Sequence, residues 1–494
     1  MSKTDTAKKN LIMYPLGTVG RDMVYALFAN FLLTFVLITK NLTAAQLTAI
    51  TAIMVAARIF DGLNDPIMGN IIEKTRSKWG KFKPWLLVGC ITSSIVVIAA
   101  FNNTGLDGWP FVVYFGVIYF LYSITFTMND ISYWGMVPAL SSDADTRNKF
   151  TSRATLFAGI GSTLASVLIP MLTTGDKALG GNAVTAYGRV AIIVCILSPL
   201  FAMFTLLGVK ENRSDMGTPA PKISMKMIVK TITGNDQLMW IALIFLLQQI
   251  GNGLVVGGLG SFYIYFEFGY QGGLYSMFTM LGMSVTAFLM IFYPAISRKF
   301  QRKKLMTILQ SVAVVGYLTM LLSGLFMPSG NMVKFYLITV GYMLANFGQY
   351  GFYLVMMISV INTVEYNELK HGTRAEGIIS SLRPFLTKLG SALCVALTSA
   401  TYLIFKVNDV TNAISAAENA SAHDPTFDKA GVIQNLLANV QKGQSIGLLI
   451  AMTIVPLAFM LAAYFLYKSK YILDEPEYDR ICKELELRHA QSVK

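Results

Sequence analysis

Charge is scarce in this chain. Asp, Glu, Lys and Arg together supply 14% of its 494 residues, while hydrophobic residues supply 54%, and the mean hydropathy is +0.54. Soluble domains carry about 25% charged residues, so a water-soluble globule of this length is excluded. Histidine occurs only as His371, His423 and His489, none inside an apolar run, which removes it as an intramembrane proton relay. The cysteines are Cys90, Cys195 and Cys394 in apolar runs and Cys482 near the end, with no paired spacing for a disulfide or zinc site. No G-x-x-x-x-G-K-[ST] phosphate loop occurs, so any work this protein does draws on an ion gradient rather than on nucleotide hydrolysis. Neither a nucleophile-base pair nor a metal-ligand set is present, which argues against an enzyme, and no cofactor is expected.

What is present is a series of apolar runs, each near the roughly 20 residues that cross a bilayer as a helix; barrel strands would alternate over about ten. Twelve spans are predicted: 12–39, 45–72, 84–102, 110–138, 150–173, 188–208, 237–264, 273–297, 305–327, 335–363, 376–406 and 444–467. The first follows a short polar start, MSKTDTAKKN, without a small-residue cleavage site, and is expected to be retained rather than removed as a signal peptide. Basic residues cluster after the second span (Lys74, Arg76, Lys78, Lys81, Lys83), after the eighth (Arg298, Lys299, Arg302, Lys303, Lys304) and in the central loop (Lys210, Arg213, Lys222, Lys226, Lys230). The alternate loops are poor in Lys and Arg, so both termini are expected in the cytoplasm. The +13 formal charge thereby sits in short loops beside apolar helices, and nucleic acid is not an expected partner.

The chain divides in the middle. Residues 1–209 form a first six-helix bundle, 210–235 a cytoplasmic loop with a Pro/Gly-rich linker and a basic amphipathic piece, 236–467 a second bundle and 468–494 a polar tail. The basic turns after the second and eighth spans fall at equivalent places in the two halves, a weak repeat of the kind found in two-bundle transporters. An all-α integral membrane fold of the major facilitator type is expected. The polar segment 407–443 is read as an ordinary extracellular loop with room for a short helix at 432–440, and the tail gives no sign of a phosphotransfer-like regulatory domain.

Ionised side chains near a bilayer centre cost roughly 2.5 to 3.5 kcal/mol each on insertion scales, so those inside the spans are candidates for function. In the second span Asp61, Asn64 and Asp65 stand at i, i+3 and i+4 and share about a third of the helix circumference, with Arg58 one turn earlier. Carboxylate and amide oxygens suit a hard monovalent ion, and the same carboxylates can carry a proton. Arg58 can neutralise one aspartate as an ion pair, but one arginine cannot neutralise both. In the fourth span Thr127, Asp130 and Trp134 share a face. A carboxylate one turn from an indole is what a sugar site needs, the first accepting from hydroxyls and the second covering the apolar ring face. Trp134 can equally be an interfacial aromatic.

The helix D-x-x-N-D-P-I-M-G followed by R-S-K-W-G-K-F-K-P-W, within Ala57 to Trp85, resembles the melibiose permease branch of the glycoside-pentoside-hexuronide cation symporters. The resemblance implies symport of a sugar with Na+, H+ or Li+ across the bacterial inner membrane. It also implies a cation held by Asp61, Asn64 and Asp65 with Thr127 beside it, and Asp130 and Trp134 on the sugar. Gly20, Arg21 and Asp22 stand where the family carries Gly, Lys and Asp, making Asp22 the second sugar carboxylate. Arg153, in NKFTSRATLF, is either a donor to sugar hydroxyls or a positive-inside anchor. NTVEYNELKHGTRAEGIISSLRPFLTKLGSA resembles the family's T-V-D-Y-G-E-x-K … K-G-G-S-A segment and places Lys388 as a link between ion and sugar, and Tyr353 falls where the family has an aromatic near the sugar. Arg383 and Pro384 depart from the pattern. Glu365, Glu368, Arg374 and Glu376, with Arg147, are either inner-gate ion pairs or solvated loop charges, and Asn362 stands where the family often carries an acid. Two aspartates on the sugar favour a neutral glycoside; a hexuronide or pentoside, or an exporter of small amphipathic compounds on the same fold, are the alternatives.

Overall fold

The computed structural model describes residues 3–102, 105–141, 143–211, 225–372 and 376–492. Their elements are α1 (Lys3–Leu16), α2 (Thr18–Thr39), α3 (Ala44–Lys74), α4 (Lys83–Phe101), α5 (Gly108–Gly135), α6 (Val137–Leu140), α7 (Ala144–Thr173), α8 (Ala183–Gly208), α9 (Met225–Gly234) and α10 (Asp236–Leu254). They continue through α11 (Gly260–Phe268), α12 (Gly272–Lys299), α13 (Arg302–Phe326), α14 (Met332–His371), α15 (Glu376–Ile404), α16 (Val407–His423), α17 (Lys429–Ala438), α18 (Lys442–Lys470) and α19 (Glu475–Ser492). Twelve helices among the described residues are long and apolar enough to cross a membrane, with α1 and α2 making the first and α10 and α11 the seventh. Every expected span is present, most ends lying within a few residues of the expected ones; α7 begins six residues earlier and α8 five.

Local chemistry sets the ends. Thr43 opens α3 with a capping box in which its hydroxyl accepts from the Gln46 amide and the Gln46 side chain accepts from the Thr43 amide. Asp143, Asn182 and Asn235 cap α7, α8 and α10 in the same sense. α14 runs eight residues past the predicted end at 363 and stops at Gly372, whose φ of 67° is the left-handed conformation that ends helices. Its extension is polar, which hydropathy reads as loop, but it packs against α19. The seventh span is interrupted by a π turn at Val255–Leu259, where Gly258 takes φ 121°. Without hydrophobic drive between helices in lipid, close packing falls to small residues: a Cβ on Gly316 of α13 would lie 2.4 Å from the Ala345 amide nitrogen of α14. Gly316→Val is therefore expected to push α13 and α14 apart and to lower the thermal unfolding temperature, with a native melting curve ruling out that contact.

The contacts divide the chain into two compact units, and the division does not follow the midpoint. Unit 1 comprises 1–222, 264–280 and 402–441; unit 2 comprises 223–263, 281–401 and 442–494. The expected partition at 209 and 236 misses two strips of the second half that pack with the first. One of them is the segment expected as a loop, which folds as α16 and α17. Its apolar residues are few, so hydropathy did not reveal it, although buried Val407, Thr411, Ile414, Ser415 and Glu418 recur at helical spacing.

In unit 1 the Tyr14 and Tyr133 rings stack at 4.5 Å and each hydroxyl donates to the other's carbonyl, at 2.7 and 2.9 Å, with Phe150 edge-on to Tyr14. Tyr133→Phe removes one of these bonds, for an expected loss of about 1 kcal/mol, read as a small drop in melting temperature. Unit 2 has its own core, in which Phe245, Phe352, Met356 and Tyr467 are joined by Ile481 and Leu485 of α19. The polar tail is thus a docked helix: Glu475 binds Arg302 at 3.1 Å, Asp474 binds Lys303 at 3.1 Å and His489 meets Glu368 at 2.9 Å.

Candidate functional site

Two polar clusters lie inside unit 1, both built on α5. The first pairs α3 with α5. Asp61 and Asp65 are one turn apart on α3, Ser123 and Thr127 one turn apart on α5, and each hydroxyl donates to the carboxylate opposite, Ser123 to Asp61 and Thr127 to Asp65, the latter at 3.3 Å. Equal i, i+4 spacing on two neighbouring helices makes the two rungs. Arg58 Nη1 lies 3.7 Å from Asp61 Oδ2, both side chains about 8% exposed. The ion pair considered from sequence is therefore present, and it engages Asp61. Arg58 Nε and Asn64 Nδ2 are buried without a hydrogen-bond partner. No group of three or more His, Cys, Asp or Glu that could hold a metal occurs among the described residues. The donor set here is two carboxylates, an amide and two hydroxyls, which suits a hard monovalent cation.

The second cluster joins α2 to α5. Arg21, 5% exposed, binds Asp22 at 2.8 Å through Nη2 and Asp130 through Nη1. Thr18, one turn before Asp22, donates to the same Asp22 oxygen. The guanidinium carbon sits 4.8 Å from the Tyr133 ring centre and 5.2 Å from that of Trp134, so two aromatic faces back the cation. Asp130 remains 33% exposed. The result is one carboxylate-rich, half-open site with an indole beside it.

The structure brings together Arg21, Asp22, Asp130 and Trp134, and separately Asp61, Asp65 and Thr127 with Asn64 on the same turn. It sets Arg153 apart, because that side chain is exposed and Nη1 donates to the Leu11 carbonyl at 3.2 Å. Tyr353 and Lys388 belong to unit 2. The Tyr353 hydroxyl accepts from Arg383 at 2.7 Å, and its ring neighbours Tyr350 and Phe245; Lys388 is half-buried on α15. Among the gate candidates, Glu365 faces Tyr478 of α19 and Glu368 meets His489. Both carboxylates thus contact the tail helix. Arg147 lies half-buried in the first turn of α7, while Arg374 lies outside the described residues.

Sequence reasoning missed Ser123, Thr18 and Tyr133. The signal for the first two was there, since Ser123 precedes Thr127 by four residues and Thr18 precedes Asp22 by four, but hydroxyls abound in these helices. Ser123→Ala leaves Asp61 without its donor. A bond to a charged group contributes about 1.5 to 3 kcal/mol, so the melting temperature should fall, and an unchanged melting curve would count against this contact.

Residues 13–474 match the family described as MFS/sugar transport protein. The chain belongs to that family. The lactose permease of Lactobacillus delbrueckii subsp. bulgaricus is 30% identical over 98% of this chain and 74% of its own length. A putative glycoside/cation symporter, YagG, of Escherichia coli K12 is 23% identical over 79% of this chain and 81% of its own. The chain spans 65 to 74% of the length of the lactose permeases it matches. A bacterial homologue of the human lysosomal transporter Spinster, solved inward-facing and unoccupied, superposes with a TM-score of 0.63 at 11% identity, covering 94% of this chain and 96% of that one. At that identity the likeness shows the fold alone. The chain is a multi-pass protein of the cell membrane, and its all-helical fold, with twelve candidate spans among the described residues, is the one expected.

Proposed function

We propose that the chain carries out symport of a neutral glycoside with a monovalent cation, by alternating access, with both termini in the cytoplasm. The observation that carries this is the division of labour along one face of α5. Ser123 and Thr127 serve the α3 carboxylates, and Asp130 and Trp134, the next turns of the same face, serve the α2 arginine. Thr127 and Asp130 are three residues apart, a rise of about 4.5 Å. A cation among Asp61, Asn64, Asp65 and Thr127 therefore changes the field and the helix position felt at Asp130, and linkage makes the effect of sugar on cation equal to that of cation on sugar. Arg21 with two aspartates carries a net single negative charge, which repels a uronide, while the carboxylate oxygens accept hydrogen bonds from the hydroxyls of a neutral sugar. Tyr353 and Lys388 are further sugar contacts on the family resemblance, and Lys388 is the ammonium whose pairing would change when the cation binds. The relatives named a lactose permease and a glycoside/cation symporter support the same class of substrate.

The test is uptake of a panel of neutral glycosides into proteoliposomes with sodium, lithium or protons as the sole gradient. One gradient is expected to drive accumulation of at least one glycoside. Accumulation of none, with gradient-driven efflux of an amphipathic dye, sinks this reading in favour of an exporter.

A further inference from the structure

Within unit 2, α13 and α18 pack together, and the first turns of α13 with the last turns of α18 enclose a half-open cavity of 190 Å³. A water needs about 10 to 15 Å³, so a group as large as a phosphodiester has room. Lys303, Lys304 and Lys468 line the cavity together with Thr307 and Tyr464. Helical spacing makes them converge: Lys303 and Thr307 are one turn apart on α13, and Tyr464 and Lys468 one turn apart on α18. The two hydroxyls meet at 2.9 Å across the helix pair.

Charge in the cavity is unbalanced. None of the lining side chains is acidic. Asp474 meets Lys303 at 3.1 Å, with the lysine 41% and the aspartate 34% exposed, a pair that solvent screens. Lys304 and Lys468, both exposed, have no acidic partner among the described residues. Three ammonium groups and two hydroxyls are together a set of donors suited to an oxyanion. Loop lysines that only orient a chain in the bilayer need no shared cavity and no hydroxyl lining.

Position selects the source of the anion. Lys470, two residues beyond Lys468, lies over the Trp240 ring at 5.3 Å, and tryptophan with lysine marks the headgroup level of a bilayer. One turn into the span from Lys304, Ile308 is 41% exposed, and Phe465, next to Tyr464, is 60% exposed. A molecule whose phosphate sits among the lysines therefore finds apolar side chains beside it for its acyl chains, which a free phosphate does not use. Basic pockets between membrane helices suit anionic lipid headgroups for this reason.

We propose that the cavity between α13 and α18 binds the phosphodiester headgroup of one anionic phospholipid, with Lys303, Lys304 and Lys468 on the phosphate oxygens and Tyr464 as a hydroxyl donor. The site uses no residue of the two unit 1 clusters, and it does not depend on the transport reading.

The test is native mass spectrometry of the purified full chain in detergent, with phosphatidylglycerol or phosphatidylcholine of the same acyl chains added. One phosphatidylglycerol should be retained at a concentration at least tenfold below that needed for phosphatidylcholine. Lys304→Gln with Lys468→Gln should raise the phosphatidylglycerol concentration for half-occupancy at least tenfold. Lys74→Gln with Lys78→Gln, which removes the same charge beside the second span, should leave it unchanged. Equal retention of the two lipids, or an equal loss in the two double variants, overturns the proposal. In a melting experiment phosphatidylglycerol should stabilise the native chain and not the Lys304, Lys468 double variant. Inorganic phosphate at the same concentration should stabilise neither, and an equal shift from inorganic phosphate would give the cavity to a soluble anion and overturn the lipid.

Discussion

Asp65→Asn is expected to end accumulation while leaving the protein folded. A membrane potential of about 100 mV supplies about 2.3 kcal/mol per translocated charge, enough for roughly 40-fold accumulation of a sugar coupled to one cation. The substitution keeps the shape of the side chain and an oxygen for the Thr127 hydroxyl, but it removes the negative charge of that carboxylate. In a gradient of the coupling cation the variant should bring internal sugar to the external concentration and no further, and the cation should cease to sharpen sugar binding. Gradient-driven accumulation in Asp65→Asn would refute the assignment of the cation to α3.

Asp130→Ala should abolish sugar binding and spare cation binding. Losing a hydrogen bond to a charged group costs about 1.5 to 3 kcal/mol, so affinity for the glycoside should fall by at least about tenfold. The fold should survive, because Arg21 keeps Asp22 at 2.8 Å and the faces of Tyr133 and Trp134. The informative control is stabilisation by the cation in a melting experiment, which should persist because the Asp61, Ser123, Asp65 and Thr127 rungs are one turn away and untouched. Normal sugar binding in this variant would remove Asp130 from the site, and simultaneous loss of cation stabilisation would merge the two clusters into one.

Some of the site was legible before any coordinates. Asp61, Asn64 and Asp65 declare a common face by spacing alone, as do Thr127, Asp130 and Trp134, because helical periodicity is a property of the sequence. Arg153 shows the limit: its charge and position at the head of a helix fit both a sugar donor and a surface anchor, and the carbonyl it reaches, that of Leu11, is set by how α1 lies against α7. Glu365 and Glu368 are similar, since their contacts are with α19, a helix whose overall polarity hides the few residues, Ile481 and Leu485, that dock it.

The sequence by itself determined the class, the number and near-limits of the membrane spans, and which faces carry charge, because burial of about 20 apolar residues and the 3.6-residue turn are local requirements. Only the tertiary structure decided who answers whom: that Arg21 spans Asp22 and Asp130, that Ser123 and Thr127 face the α3 carboxylates, and that residues 402–441 belong with the first unit. Apart from Arg21 and Asp22, which are adjacent, those pairings join residues 62 to 380 positions apart. They depend on the packing of helices whose lipid-facing and partner-facing apolar side chains look alike in sequence.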